Sequence, residues 1–132
     1  MDPARLRSIR LFESFSDDQL GKIAPFADEN SVPEGQQLVR EGDFSYELIG
    51  IEDGTAEVTR DGEHVADLGP GDFFGEIGVM ERALRTATVT ATAPMRLITL
   101  TSWELRRMEK DLPEVLEELH RAADERRPPA VA

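Results

Sequence analysis

The chain has 132 residues, enough for one domain with a modest core, and its 39% apolar content is that of an ordinary folded protein. A formal net charge of −12 argues against nucleic-acid binding, because Lys and Arg contacts to phosphates supply most of that affinity. The absence of Cys excludes a disulfide framework and any thiolate metal site.

In chain order, an early helical segment over Pro3–Ile9 leads into Leu11-Phe12-Glu13-Ser14-Phe15. Ser16 and Gln19 then form a capping-box pair, with Asp17 and Asp18 in the first turn of the helix they open. Leu20, Ile23, Ala24 and Ala27 follow at i, i+3, i+4 and i+7, the spacing of one buried helix face. The middle of the chain reads as short strands at Gln37–Arg40, Tyr46–Glu52, Thr55–Arg60 and Glu63–Leu68, with a tight hairpin turn at Asp61-Gly62. A short helical turn over Gly75–Met80 comes next, then strands at Thr86–Ala91 and Met95–Thr101 on either side of Pro94.

The last third is helical. Ser102 suits the N-cap of a helix over Trp103–Lys110, and Pro113 suits the first position of a helix running to about Arg127. Val115, Leu116, Leu119, Ala122 and Ala123 form its apolar stripe. Pro128-Pro129-Ala130-Val131-Ala132 cannot continue a helix, so residues 1–127 are expected to form one domain and 128–132 a disordered tail. Strands in the middle and helices at both ends give an α+β fold, an antiparallel β-roll with helices on one side. His64 falls on a strand and His120 on a helix surface, and no metal site is expected from two separated His. No apolar run reaches membrane-spanning length and Met1-Asp2-Pro3-Ala4-Arg5 is not a signal peptide, so a cytoplasmic chain that does not insert into membranes is expected.

The chemistry gathers in residues 71–91. Gly75 has no side chain, so N–H groups at the start of the turn over Gly75–Met80 can approach an anionic oxygen, helped by the positive end of the helix dipole. Arg85 can pair with the same anion through two parallel hydrogen bonds, and the Thr86 hydroxyl can add one. Glu76 cannot favour a phosphate; ionised, it only accepts hydrogen bonds, and a sugar hydroxyl is a fitting donor. A small ligand bearing both a phosphate and a sugar is specified.

This stretch resembles the phosphate-binding cassette of cyclic nucleotide-binding domains, in which Phe-Gly-Glu and a short loop precede Arg-(Ala/Ser/Thr)-Ala-Thr. Here it reads Phe74-Gly75-Glu76 and Arg85-Thr86-Ala87-Thr88, and the turns at Gly35, Glu41-Gly42-Asp43, Gly54 and Gly69-Pro70-Gly71-Asp72 fall where that family turns its β-roll. The resemblance implies an antiparallel β-roll of the double-stranded β-helix type, jelly-roll-like, flanked by N-terminal helices, a short cassette helix and C-terminal helices. It implies ligand contacts from Gly75, Glu76, Ile77, Gly78, Arg85, Thr86 and Ala87, with cyclic AMP as ligand and cyclic GMP as the alternative, and no metal or other cofactor.

The ending Ala122-Ala123-Asp124-Glu125-Arg126-Arg127 looks like the last helix of the sensor in bacterial cyclic-nucleotide-regulated potassium channels. An Arg near that helix end lies against the purine, by position Arg126 here. The function implied is a non-enzymatic regulatory module whose C-terminal helix docks on ligand binding and signals to an effector protein or a fused effector domain. Three other readings compete: a metalloenzyme of related β-helix shape, which two separated His disfavour; the sensor of a transcription regulator, whose helix-turn-helix would have to follow the last helix; and a β-roll that has lost its ligand and serves as an interaction surface.

Overall fold

The structure, a computed structural model, describes residues 1–44, 47–75 and 85–126, apart from the side chain of Arg126. Among the described residues are eight strands, β1 (Asp28–Val32), β2 (Gln37–Val39), β3 (Glu47–Asp53), β4 (Ala56–Arg60), β5 (Glu63–Leu68), β6 (Phe73–Gly75), β7 (Thr88–Ala91) and β8 (Met95–Thr101). They form two antiparallel sheets, ordered β1-β8-β3-β6 and β2-β7-β4-β5. The helices are α1 (Asp17–Ile23), α2 (Ser102–Asp111) and α3 (Pro113–Arg126), with 3₁₀ turns at Pro3–Ser8, Arg10–Phe12 and Ala24–Phe26. This is the α+β roll that the sequence suggested.

Strand alternation divides the apolar side chains between two cores. Leu48, Phe73, Ile98 and Leu100 turn outward to the helices, joining Leu6, Ile9, Leu11, Phe12, Leu105, Met108, Leu116 and Leu119. Ile49, Ile51, Phe74, Met95 and Leu97 turn inward, joining Val58, Leu68, Ala87 and Val89 between the sheets. The first sheet is therefore covered on both faces, and the bulk of the molecule is three layers: helices, sheet, sheet.

The local signals behave as their chemistry requires. Ser16 and Gln19 make both capping-box hydrogen bonds, at 3.1 and 2.9 Å. Asp61, with φ 54°, and Gly62, with φ 79°, take the left-handed conformations of a two-residue hairpin turn. The stripe on α3 is buried along its length, from Val115 to Ala123.

Other expectations are corrected. The first α-helix stops at Ile23, because Pro25 cannot continue it and the chain tightens into the turn Ala24–Phe26, leaving Ala27 half-buried. Strand β1 was not expected: its residues are polar and mostly exposed, and it exists as an edge strand through its pairing with β8, from Asp28 opposite Thr99 to Val32 opposite Met95. Thr101, not Ser102, caps α2, its hydroxyl accepting from Glu104 N at 3.4 Å. His120 is half-buried, and its Nε2 is enclosed without a hydrogen-bond partner among the described residues.

The N-terminal layer is fastened to the roll by polar groups as well as by apolar packing. Arg5 donates to both carboxylate oxygens of Glu52, at 2.8 and 2.6 Å, and also pairs with Glu29. These bonds hold the Glu52 carboxyl below its ordinary range, against the opposing effect of burial and with help from the Arg5 charge and from Arg96 at 3.5 Å. Because the folded protein keeps Glu52 ionised to lower pH than the unfolded chain does, the contribution is complete above the ordinary carboxylate range and is lost as pH falls through the lowered folded value. Glu52→Gln should accordingly lower the melting temperature near neutral pH, and the gap from the unchanged protein should narrow on acidification. Melting curves recorded across that pH range check this; a gap of constant size would mean the carboxylate is not its source.

Candidate functional site

A cavity of about 370 Å³ opens on the roll where Leu38, Val39, Arg40, Gly42, Asp43 and Phe44 meet Glu47 and Arg85. Of its two lining cations, Arg85 is buried and Arg40 exposed. Arg85 is 7% exposed, and its Nη2 donates to the backbone oxygen of Glu47 at 2.8 Å. Its own backbone is clamped on both sides, the N–H donating to Asp43 O at 2.8 Å and the carbonyl accepting from Gly42 N at 3.0 Å. A guanidinium fixed in this way loses little further freedom when it meets an anion.

Gly75 is what lets the guanidinium lie there. It ends β6 with φ 119°, in a region that L side chains rarely adopt. A Cβ on it would collide with Glu47 O and would stand 3.1 Å from both Arg85 Nη1 and Leu48 Cα. The expectation that Gly75 opens a helical turn is corrected to this extent: Gly75 pairs with Leu48 in the sheet and is a strand terminus. The remainder of that turn lies outside the described residues, and so do Glu76, Ile77 and Gly78.

The segment after Arg85 is held by distant parts of the chain. Arg60 Nε donates to Thr86 O at 3.1 Å, and Thr88 Oγ1 accepts from Glu41 N at 3.0 Å. The Glu41 carboxylate in turn accepts from Asp61 N, at 2.9 Å, in the β4–β5 hairpin. With the Thr86 carbonyl taken by Arg60, β7 begins at Thr88 and not at Thr86. The Thr86 side chain is exposed, whereas the Ala87 side chain is turned into the roll's apolar core. Arg126 is the last helical residue of α3, at the far end of the chain, and its side chain is not among those described.

The structure thus brings Arg85 and Gly75 together and adds residues that the sequence reading missed. Leu38, Val39 and Phe44, the last 51% exposed, supply an apolar wall. Arg40 supplies a second cation, with its Nε on Gln37 Oε1 at 3.1 Å, while Asp43 and Glu47 supply carboxylates. The Glu41-Gly42-Asp43 turn was a signal that the chain folds back at this point, but nothing local shows that it folds back onto Arg85.

Elsewhere, Glu57, His64 and Asp67 meet on the exposed side of the β4–β5 hairpin. The two carboxylates approach different ring nitrogens, Glu57 near Nδ1 at 2.9 Å and Asp67 near Nε2 at 3.6 Å. A metal ion occupies a single ring nitrogen, so this is the arrangement of an imidazole bridging two carboxylates.

A roll that presents a buried, backbone-clamped guanidinium to a surface cavity is the frame of a small-anion receptor. Similarity to known proteins places this fold in a family. A family model described as the cyclic nucleotide-binding domain matches residues 29–111. A cAMP-dependent protein kinase regulatory subunit from Eremothecium gossypii is 35% identical over 112 residues, 84% of this chain and 24% of that one. A cyclic nucleotide-gated potassium channel from Rhizobium etli is 29% identical over 120 residues, 91% of this chain and 34% of that one. Among solved structures, the N-terminal domain of a transcriptional regulator from Streptomyces coelicolor superimposes with a TM-score of 0.78 at 30% identity, covering 92% of this chain and 91% of the other. The chain belongs to the cyclic nucleotide-binding domain family, whose members act as regulatory sensors and bind cyclic AMP or cyclic GMP. It spans between a quarter and about a third of the two curated relatives described.

The Gly75 geometry yields a direct test. Gly75→Ala must displace either the Glu47 carbonyl or Arg85, at a cost of about 1–3 kcal/mol of strain, so the variant should melt lower and lose ligand affinity together. Thermal melts and calorimetric titration of one preparation check both effects; an Ala variant that keeps its affinity would show that Arg85 does not depend on this contact.

Proposed function

We propose that the domain binds a cyclic nucleotide in the Arg85 cavity, with cyclic AMP as the first candidate and cyclic GMP as the alternative, and that it performs no chemistry on the ligand. The observation that carries this reading is the buried guanidinium of Arg85, fixed beside a side-chain-free strand end at the cavity wall. Arg85 takes the cyclic phosphate, with backbone N–H groups after Gly75 and the exposed Thr86 hydroxyl as further donors. Glu76 accepts from the ribose 2′-hydroxyl. Leu38, Val39 and Phe44 offer the base an apolar wall.

Among the described residues no helix is long and apolar enough to cross a membrane, which is compatible with a cytoplasmic sensor. The output passes to an effector protein or a fused effector domain. The mover in this reading is α3, which follows the helix break at Leu112 and Pro113 and whose last turn carries exposed Asp124 and Glu125. Its apolar stripe is already buried against the N-terminal 3₁₀ turns, so docking on ligand means exchanging one packing for another, with Arg126 brought to the purine.

Ligand at about one hundred times its dissociation constant should stabilise the protein by about 2.7 kcal/mol. Arg85→Leu should weaken binding by about 3–5 kcal/mol, the cost of stranding one partner of a buried ion pair, and Glu76→Ala by about 1.5–3 kcal/mol. Calorimetric titration with both nucleotides and with 2′-deoxy cyclic AMP checks these values. A melting temperature unmoved by either nucleotide would leave a β-roll without a ligand, and equal affinity for the 2′-deoxy analogue would remove the ribose role of Glu76.

Amide hydrogen exchange tests the mover separately. Exchange over residues 113–126 should slow on nucleotide addition while that of β8 stays constant. Equal rates with and without ligand would make α3 a fixed part of the fold.

A further inference from the structure

The exposed face of α2 carries a pattern that the nucleotide site does not use. Trp103, Arg106, Arg107 and Lys110 stand at i, i+3, i+4 and i+7 and are all exposed, opposite the buried Leu105 and Met108. Trp103 is 55% exposed and is the single Trp of the chain. Arg107 pairs with Glu104 at 3.2 Å and lies 5.4 Å from the centre of the Phe26 ring. Arg106 and Lys110 make no ion pair or hydrogen bond with the described residues.

In a chain of net charge −12, three cations and an exposed Trp on one helix face run against the composition. Most other cations of the described residues are matched: Arg5 with Glu52, Arg7 with Asp17, Arg10 with Asp72, Lys22 with Asp18, Arg121 with Glu118. Trp and Arg are the residue types that dominate binding energy at protein interfaces.

We propose that this face of α2 is a docking site for an acidic segment of a partner protein, one that carries apolar side chains to cover Trp103. Charge complementarity selects the acidic partner, and the width of the stripe selects a narrow one. From Trp103 to Lys110 the face runs about 10 Å along the helix, with Glu109 and Asp111 on its flanks. A narrow segment lying along this face meets the cations ahead of the flanking carboxylates. An anionic bilayer, being flat, would also meet the flanking carboxylates, and charges within about 8 Å are not screened away at physiological salt.

Trp103 reports its own burial, since no other Trp contributes to the emission. A synthetic helical peptide of Glu, Leu and Ala should shift that emission to the blue, saturably, and more weakly as salt is raised. The double variant Arg106→Glu, Lys110→Glu should bind this peptide about tenfold more weakly or worse, as expected when rim charges are reversed, while keeping its far-ultraviolet circular dichroism and its nucleotide affinity. The proposal is overturned by no shift with the acidic peptide, or by an equal shift with the matching Lys, Leu and Ala peptide. A shift given by vesicles of equal parts phosphatidylcholine and phosphatidylserine and not by the peptide would assign the face to lipid and overturn it too. So would a blue shift that grows with protein concentration alone, alongside a dimer in sedimentation, since the partner would then be a second copy.

Discussion

The contact between the Arg85 guanidinium and the backbone of β3, across a strand end that carries no side chain, holds the site together. Arg85 reaches Glu47 O only because Gly75 leaves the space, and Gly75 is placed by its pairing with Leu48. Four separate stretches meet in a few ångströms: the loop at Gly42 and Asp43, the start of β3, the end of β6 and the approach to β7. A buried cation is costly unless its hydrogen bonds are made, and the Glu47 carbonyl makes one of them here.

What places β6 so accurately is its position between two cores. Phe73 packs with the helices and Phe74 with the interior of the roll, and both are essentially inaccessible to solvent. The turn ahead of the strand is held as firmly. Arg10 N donates to Gly71 O at 2.9 Å, the Arg10 side chain pairs with Asp72, and Ile51 exchanges hydrogen bonds with Gly71 and Asp72 at 2.8 Å each. Only Phe73 and Phe74 separate this clasp from Gly75. Close-packed interiors do not deform smoothly, so a strand pinned on both faces and at its entry moves as a unit.

Legibility in the sequence followed the range of the interaction. The capping box of Ser16 and Gln19, the Asp61-Gly62 hairpin and the stripe of α3 are set by neighbours within a few positions, and each was readable. Strand β1 was not, because Asp-Glu-Asn-Ser-Val shows no apolar alternation and its conformation is imposed by β8, about 70 residues away. Strand β6 was concealed by its length of three residues and by a glycine that equally suits a helix start. At the cavity, the cassette pattern pointed to Arg85 and Gly75 because residue type is what marks them. Arg40, Phe44 and Glu47 carry no such signature, and only the pairing of Gly42 and Asp43 with Arg85 brings them to the cavity.

The same arrangement explains how a site on the roll and a helix at the end of the chain can share a mechanical element. Leu116 and Leu119 of α3 belong to the core that holds Phe73, and Phe73 stands two residues before Gly75 on a strand too short to bend. If ligand draws the backbone after Gly75 toward the phosphate, β6 must carry Phe73 with it. The helical core then has to repack, because a displaced ring leaves a gap on one side and an overlap on the other, and either costs about 1–3 kcal/mol in a native core. Two packings separated by a cost of that size, rather than a continuous slide, make a helix that changes state. In the proposed reading, that coupling would reside in the alternation of one three-residue strand, with one phenylalanine in each core and a glycine at the cavity.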